Sequence, residues 1–168
     1  MRNFYFLRTF FLASIILITL SVSGQVTLMS VDDGTAFKQW PDTTAAEFHP
    51  DGNIFVYKTD TTEAIAYVKF DIEKFEGKIV SEAIFSTRSD MKSGTMTVKL
   101  TKTNSTDFSR ETLNWNNKPG TSGELATVVY DEDSGRKEFI PKETNLTDYI
   151  NQELAKGEKY IAFGIKYK

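Results

Sequence analysis

The chain of 168 residues contains 40% hydrophobic residues, no cysteine and one histidine, and its formal net charge is −3. This length and apolar content suit a single domain with its own core, and the missing cysteines exclude disulfide bridges and cysteine-ligated metals. A mildly acidic chain is also a poor candidate for bulk nucleic-acid binding, which depends on basic surfaces.

The first 24 residues are predicted to be a secretory signal peptide. Arg2 and Arg8 precede an apolar run over residues 10–22, and two small residues follow at 23–24. That order is typical of a signal peptide, and the run is short for a membrane anchor, which needs roughly 20 residues. We therefore expect a secreted or periplasmic domain of residues 25–168 with no membrane span after cleavage. No cysteine is available to carry a lipid, so a lipoprotein is excluded.

From residue 25 onward, apolar and polar residues alternate in short runs, a period typical of half-buried β-strands. Turn-forming residues separate these runs at 50–53, 92–94, 119–123 and 131–135. About eight short antiparallel strands in one domain predict an all-β fold of the jelly-roll sandwich type. The predicted strands include residues 54–57, 65–71, 79–88, 95–102, 126–130 and 161–167.

One segment near the C-terminus has a helical period instead. The apolar residues that share one helical face are Leu146, Tyr149, Ile150 and Leu154. Asn145 is suited to cap the start of a helix, and Gly157 is suited to end it. The sequence therefore predicts a short helix over residues 145–156 that covers one end of the sandwich.

Residues 107–120 read DFSRETLNWNNKPG and resemble the W-x-E-x-T-x-T-W-N-N-x-P stretch of DNRLRE, or disaggregatase-related, domains. These domains are grouped as carbohydrate-binding module family 96. Three further segments follow in the family's order. The family's r-x-y-l-x-F-D-l strand is similar to residues 66–72, and its i-x-x-A-x-L strand is similar to residues 79–85. The closing unit of the family is similar to residues 146–165. The resemblance covers nearly all of residues 32–168.

The resemblance implies a jelly-roll module that binds an extracellular polysaccharide without changing it chemically. The family's ligands tend to be acidic polysaccharides such as alginate, so an acidic polysaccharide is the favoured ligand. Such a module would hold an enzyme or a cell surface near its substrate, which makes a catalytic domain or partner enzyme an expected partner. The chain departs from the family pattern at Phe108, usually tryptophan, and at Asn114, usually threonine.

The WNN motif at residues 115–117 also has a purely structural interpretation. Trp115 offers a large ring that can fill one end of the core, and Asn116 and Asn117 can bind loop backbone through their side chains. We interpret the motif as a folding device with a buried Trp115. It then identifies the family without identifying the binding site.

The sequence contains no motif typical of catalysis. His49 lies in a turn-like FHPD segment and is interpreted as an exposed loop residue, and no G-x-S-x-G elbow or phosphate-binding loop is found. A carboxylate pair for glycoside hydrolysis stays open, because acidic residues are many. We predict a non-enzymatic protein that requires no cofactor. One structural calcium ion, held by Asp32 and Asp33 or by Asp131 and Asp133, also stays open.

Binding of a carboxylated sugar needs an exposed aromatic ring and a positively charged partner. Trp40, in the polar loop of residues 38–42, is the candidate aromatic platform. The candidate cations occupy polar positions of the predicted strands and are expected to converge on one face: Lys58, Lys69 and Arg88. Tyr57 and Tyr67 are candidates to flank that face.

Two other functions stay open. A structural or adhesive surface protein would use the same sandwich for protein contacts, and would expose apolar patches or a strand edge. A fragment of a polysaccharide lyase or hydrolase would need a deep cleft with several convergent titratable groups.

Overall fold

The computed structural model describes residues 25–49, 53–89, 94–131, 135–143 and 145–168, so the predicted signal peptide lies outside it. In these ranges the chain forms nine β-strands, two α-helices and a short 3-10 helix at Glu73–Phe75. The strands are β1 Asp32–Phe37, β2 Tyr57–Lys58, β3 Glu63–Asp71, β4 Ser86–Arg88, β5 Met96–Thr103, β6 Thr121–Tyr130, β7 Arg136–Glu138, β8 Ile140–Pro141 and β9 Tyr160–Tyr167. The helices are α1 Ala45–Phe48 and α2 Asn145–Ala155.

The strands form two antiparallel sheets. The large sheet runs in the order β1-β3-β9-β5-β6-β8, with β2 paired to the first residues of β3, and the small sheet consists of β4 and β7. The predicted fold class, an all-β sandwich with a short helix near the C-terminus, is confirmed.

One face of the large sheet, which we call the core face, packs on the main hydrophobic core. Strand alternation directs Val98 and Leu100 of β5, and Ile161, Phe163 and Ile165 of β9, toward this core. The core is closed by side chains from α2 and from segments flanking the small sheet, namely Leu146, Tyr149, Leu154, Phe85 and Phe139. Burial of each large apolar side chain stabilises the fold by about 1.5–3 kcal/mol relative to exposure.

The opposite face of the large sheet, the outer face, is only partly covered. Ile65 and Tyr67 of β3 form a smaller buried cluster there with Phe108 and Leu113. Both of these covering residues belong to the long loop of residues 104–120 between β5 and β6. The loop therefore shields the β3 side of the outer face, while Lys99 of β5 and Thr127 and Val129 of β6 stay partly exposed.

One ion pair and several hydrogen bonds fix this loop to the sheet. The Lys69 ammonium lies 3.5 Å from the Asp32 carboxylate and donates a hydrogen bond to the Phe108 carbonyl oxygen. The Arg110 guanidinium donates to the Asp33 carboxylate, and the Arg110 backbone N–H donates to Asp32 Oδ1 at 3.0 Å. Because these groups are only partly exposed, solvent screens the pairs less than it would at the surface.

Four of the six predicted strands correspond to β3, β5, β6 and β9. The predicted strand at 79–88 forms only at its end, Ser86–Arg88. The backbone N–H groups of Val80 and Ala83 instead donate to side-chain oxygens of α2, at 2.9 and 3.1 Å. Side chains of a helix thus replace the neighbouring strand that this segment would need.

Two other predicted segments are also different from expectation. In the predicted strand at 54–57, only Tyr57 is in a strand, because the N–H of Phe55 donates to Thr35 Oγ1 at 2.8 Å. Residues 121–123, predicted as part of a turn, already belong to β6. The other predicted turns, at 50–53, 92–94 and 131–135, lie largely outside the described residues.

The predicted helix is confirmed as α2, with Leu146, Tyr149 and Leu154 buried. Gly157 ends it with a φ of +77°, and its N–H donates to the Leu154 carbonyl oxygen at 3.0 Å. Glycine adopts this left-handed conformation without steric cost. Within the described ranges, no helix is long and apolar enough to cross a lipid bilayer.

Candidate functional site

The uncovered part of the outer face is formed by β9, β5 and β6. Lys99 of β5 lies directly opposite Lys166 of β9 in the strand register, and both side chains are half-buried on the outer face. The Cβ atoms of directly opposed residues are only about 4.5–5.5 Å apart, so like charges at such positions destabilise a sheet. A bound anion would stabilise this pair.

The loop brings a third ammonium group to the same region. Lys118 Nζ lies 3.9 Å from the centre of the Trp115 ring and donates to the Trp115 carbonyl oxygen at 3.1 Å. Burial lowers the pKa of Lys118, with the Glu63 carboxylate opposing this shift and the Lys166 ammonium adding to it. Lys118 and Lys166 therefore act on each other electrostatically.

Gly164 of β9 packs closely against two threonine side chains beside these lysines. A Cβ atom at Gly164 would lie 2.6 Å from Thr121 Cγ2 and 2.9 Å from Thr101 Oγ1. Lys166 Nζ donates to Thr121 Oγ1 at 3.0 Å. A side chain at position 164 would therefore displace the side chain of Thr121, whose hydroxyl group orients Lys166.

Two carboxylates also belong to this face. Glu63 of β3 lies opposite Lys58 of β2, and Glu124 of β6 lies 3.4 Å from Lys168 Nζ. Within the described part of the chain, the Lys99 ammonium makes no ion pair or hydrogen bond. Positive charge consequently exceeds negative charge here. We use the name lysine surface for the patch formed by Lys99, Lys118, Lys166 and Trp115.

Comparison with known protein families relates this fold to carbohydrate recognition. The model of carbohydrate-binding module family 96 matches residues 25–168. The chain is a member of this family. The resemblance inferred from the WNN segment is thereby confirmed. No curated protein matches the chain.

Three of the predicted binding residues lie together at one end of the large sheet in this family 96 module. Trp40 is 45% exposed, and its ring packs on Phe48 with centroids 4.6 Å apart. The side-chain amide of Gln39 donates to the Tyr57 hydroxyl. Lys58 follows Tyr57 on β2 and is exposed. This end of the sheet thus combines an accessible aromatic ring with a lysine.

The same end of the sheet borders the lysine surface. The backbone N–H groups of Trp115 and Asn116 both donate to the Pro41 carbonyl oxygen, at 3.1 and 3.3 Å. The Asn116 side-chain amide also donates to the Asp42 carboxylate at 2.7 Å. These contacts join the loop that carries Trp40 to the loop that carries Trp115.

The other three predicted residues lie elsewhere in the module. Tyr67 is fully buried, and its hydroxyl donates to the Pro119 carbonyl oxygen at 2.9 Å, so it anchors the loop rather than facing solvent. Lys69 is engaged by the loop as described above. Arg88 belongs to the small sheet, where it lies opposite Arg136. The three predicted cations therefore do not share one face, because Arg88 belongs to a different sheet.

The lysine surface contains residues that the sequence did not single out. Lys99 and Lys166 are distant in the sequence, and only the β5–β9 register reveals that they oppose each other. The alternation of apolar and polar residues predicts which side of each strand is polar, but it does not predict which strands are neighbours. Trp115 is half-buried rather than buried, and one face of its ring lies against Lys118.

The acidic residues considered as calcium ligands have other partners in the structure. The carboxylates of Asp32 and Asp33 are engaged by the ion pairs described above, and Asp131 lies 3.4 Å from Lys137. Asp133 lies outside the described residues. Among the described residues, no three His, Cys, Asp or Glu side chains form a group that could hold a metal ion. A structural calcium ion stays a prediction.

His49 is half-buried, not exposed as predicted. Its ring stacks on Phe55 with centroids 4.0 Å apart, and it contacts Phe48 edge-on at 4.8 Å. Both phenylalanines also contact Phe37 at the end of β1. The histidine is therefore part of an aromatic cluster beside the sheet.

Proposed function

We propose that this family 96 module binds an acidic polysaccharide on the lysine surface without changing it chemically. The observation that carries the proposal is the direct opposition of Lys99 and Lys166 on an uncovered sheet face. Opposed ammonium groups destabilise the unbound sheet. A uronate carboxylate between them would relieve the repulsion and form charge-assisted hydrogen bonds.

The side chains around this pair suit the rest of a sugar. The rings of Trp115 and Trp40 can pack against the apolar face of a pyranose ring. The hydroxyl groups of Thr121 and Thr127 can exchange hydrogen bonds with sugar hydroxyls. A neutral polysaccharide would use these groups but would leave the lysine repulsion in place. An acidic, alginate-like polymer is therefore the ligand we favour.

In this proposal the binding surface extends from the lysine surface to Trp40 and Lys58, which border it, while Tyr57 pairs with Ala64 and points to the opposite side of the sheet from Lys58. Tyr67 and Lys69 contribute indirectly, because they hold the loop that carries Trp115 and Lys118. Arg88, on the small sheet, is outside the surface.

We further propose that the module acts outside the cell and keeps an enzyme or a cell surface close to its polysaccharide. The basic and apolar residues before position 25 support export. A non-catalytic role is supported by the shape and composition of the surface, which is a sheet face lined by lysines. Glycoside hydrolysis needs two carboxyl groups on either side of the scissile bond, and of the two carboxylates on this face Glu124 is held by Lys168.

Affinity gel electrophoresis of the purified protein tests this proposal. Gels containing polymannuronate or polygalacturonate should retard the protein, whereas gels containing neutral mannan or hydroxyethylcellulose should retard it much less. Retardation should weaken as salt is raised from about 0.05 M to about 0.5 M, because salt screens exposed charges.

Two double variants with the same net charge locate the binding surface. Lys99→Gln with Lys166→Gln should abolish most of the retardation. Lys74→Gln with Lys78→Gln is the matched control, because both lysines are exposed and lie beside Phe75, which packs on the main core. Equal loss in the two variants would contradict the proposal. A folded protein that no polysaccharide retards would favour the structural or adhesive alternative.

A further inference from the structure

A groove lies at the opposite end of β9 from Lys166. Its volume is about 390 Å³, and it lies between the C-terminal half of α2 and the residues that follow β5. Sites for small ligands typically have volumes of roughly 300–1,000 Å³. Tyr160 and Lys166 are the ends of a stretch of β9 that spans about 20 Å, since a strand rises about 3.3 Å per residue. The groove is thus well separated from the lysine surface.

One exposed aromatic ring lines this groove among hydrogen-bonding groups. Tyr160, the first residue of β9, is 43% exposed. The side chains of the lining that can form hydrogen bonds with a ligand include those of Asn104, Thr106, Asp107, Glu153 and Glu158. An aromatic ring surrounded by hydroxyl, amide and carboxylate groups is suited to a sugar, which has an apolar ring face and a rim of hydroxyls.

Several lining groups are already fixed in place. Asn104 Oδ1 accepts a hydrogen bond from the Gly120 N–H at 2.8 Å, and the Asp107 N–H donates to Ser105 Oγ at 2.9 Å. The Glu153 carboxylate lies 2.6 Å from Lys156 Nζ. A ligand would therefore meet groups that need little ordering on binding, which favours affinity.

The side chains that line the groove include more carboxylates than ammonium groups, unlike those of the lysine surface. Its lining residues, all within the described part of the chain, include the carboxylates of Asp107, Glu153 and Glu158 but only the Lys156 ammonium. Burial raises the pKa of the Tyr149 hydroxyl in the lining, and the carboxylates of Glu153 and Glu158 raise it further. Two further ammonium groups lie outside the lining, with Lys102 Nζ 5.0 Å from the centre of the Tyr149 ring and Lys69 Nζ 5.8 Å from the centre of the Tyr160 ring. The carboxylate oxygens of the lining accept hydrogen bonds from neutral sugar hydroxyls.

We propose that this groove, the Tyr160 groove, is a second glycan site that takes an uncharged sugar unit. The sugar ring packs on Tyr160, and its hydroxyls donate to Asp107 and Glu153. The site does not depend on the lysine surface and would remain if the acidic ligand proposed above were wrong. A module with both sites connects an acidic polysaccharide to a neutral one.

Isothermal titration calorimetry of the purified protein tests the Tyr160 groove. The titrants are cellohexaose, mannohexaose, xylohexaose and laminarihexaose at millimolar concentrations, and at least one should bind saturably. Tyr160→Ala should weaken that binding about tenfold, which corresponds to about 1.4 kcal/mol. Tyr167→Ala is the matched control, because Tyr167 ends the same strand and is 41% exposed. Its affinity should stay within about twofold of the wild type.

Two further variants separate the groove from the lysine surface and from effects on folding. Lys99→Gln with Lys166→Gln should leave the affinity for the neutral hexasaccharide unchanged. Asp107→Ala, at an exposed position, should weaken it several-fold even if Tyr160→Ala fails to fold. The proposal is overturned if none of the four hexasaccharides binds, if the two tyrosine variants weaken binding equally, or if the lysine variant abolishes it.

Discussion

The two faces of the large sheet are stabilised in different ways. On the core face, alternating apolar side chains meet α2 and the small sheet, and the driving force is the burial of apolar surface. On the outer face, hydrogen bonds and an ion pair hold the loop of residues 104–120 in addition to a smaller buried apolar cluster, and the loop carries Lys118. The core face thus contributes most of the buried apolar surface, while the outer face brings like charges together at Lys99 and Lys166.

The largest difference between the faces should be in the free energy of unfolding when valine is replaced by alanine at two adjacent positions, one on each face. Val128 is 4% exposed and belongs to the main core, whereas Val129 is 51% exposed on the outer face. Val128→Ala should lower the free energy of unfolding by about 2 kcal/mol through lost burial and a cavity. Val129→Ala should change it by less than about 0.5 kcal/mol. Urea unfolding measures both, and similar losses would contradict the assignment of the faces.

A smaller effect is expected from the Lys69 ammonium, which holds the loop through the Phe108 carbonyl oxygen. Lys69→Met keeps the apolar stem but removes the ammonium that contacts Asp32 and Phe108. We expect a loss of about 1.5 kcal/mol in the free energy of unfolding, because hydrogen bonds to charged groups contribute more than neutral ones. The control is Lys58→Met at an exposed position, where the loss should stay below about 0.5 kcal/mol. Equal losses would show that the ammonium does not stabilise the loop.

The buried tyrosine under the loop should make stability depend on alkaline pH. Burial raises the pKa of Tyr67, so the native state keeps this proton after the unfolded chain has lost it. The contribution of Tyr67 is therefore fully present below about pH 10 and declines above that, by up to about 1.4 kcal/mol per pH unit. Tyr67→Phe should cost about 1 kcal/mol at neutral pH by removing the hydrogen bond to Pro119.

Chemical unfolding of both proteins between about pH 8 and about pH 11 measures this effect, since the range spans the pKa of an unfolded tyrosine. The difference in stability between the wild type and Tyr67→Phe should narrow as the pH rises. A constant difference across the range would mean that Tyr67 ionises in the native state as it does in the unfolded chain.

The smallest expected effect concerns the pH dependence of ligand affinity. Burial lowers the pKa of Lys118, so this ammonium loses its proton at a lower pH than an ordinary lysine. The affinity for polymannuronate should decrease between about pH 8 and about pH 10 in the wild type. This decrease should be about threefold larger than in Lys118→Arg, because arginine stays charged. Titration calorimetry measures both proteins. Parallel declines would exclude Lys118 as the titrating group.

The core face is the part of the fold that the sequence predicts well. Val98 and Leu100 in β5, and Ile161 and Phe163 in β9, alternate with polar residues, and this period of two is a local signal. The segment at 79–85 has similar composition but no strand partner, because α2 satisfies its backbone N–H groups. Composition cannot show which backbone groups a distant helix will bind.

The outer face could be predicted only in part, because its features depend on contacts between distant residues. Residue type and local context led to the prediction of Trp40 and Lys58, which stay candidate binding residues. The opposition of Lys99 and Lys166 arises from pairing between β5 and β9, which the sequence does not specify locally. Lys69 is a polar strand residue like Lys99, and only the loop packed against it distinguishes an anchor from a free cation.

The most direct measurement of the central claim is amide chemical-shift mapping by NMR during titration with a mannuronate hexasaccharide. We expect the largest shifts at Lys99, Lys166 and the loop residues Trp115 and Lys118, with smaller shifts near Trp40. Shifts confined to the small sheet around Arg88, or to the Tyr160 groove, would contradict the assignment of acidic polysaccharide binding to the lysine surface.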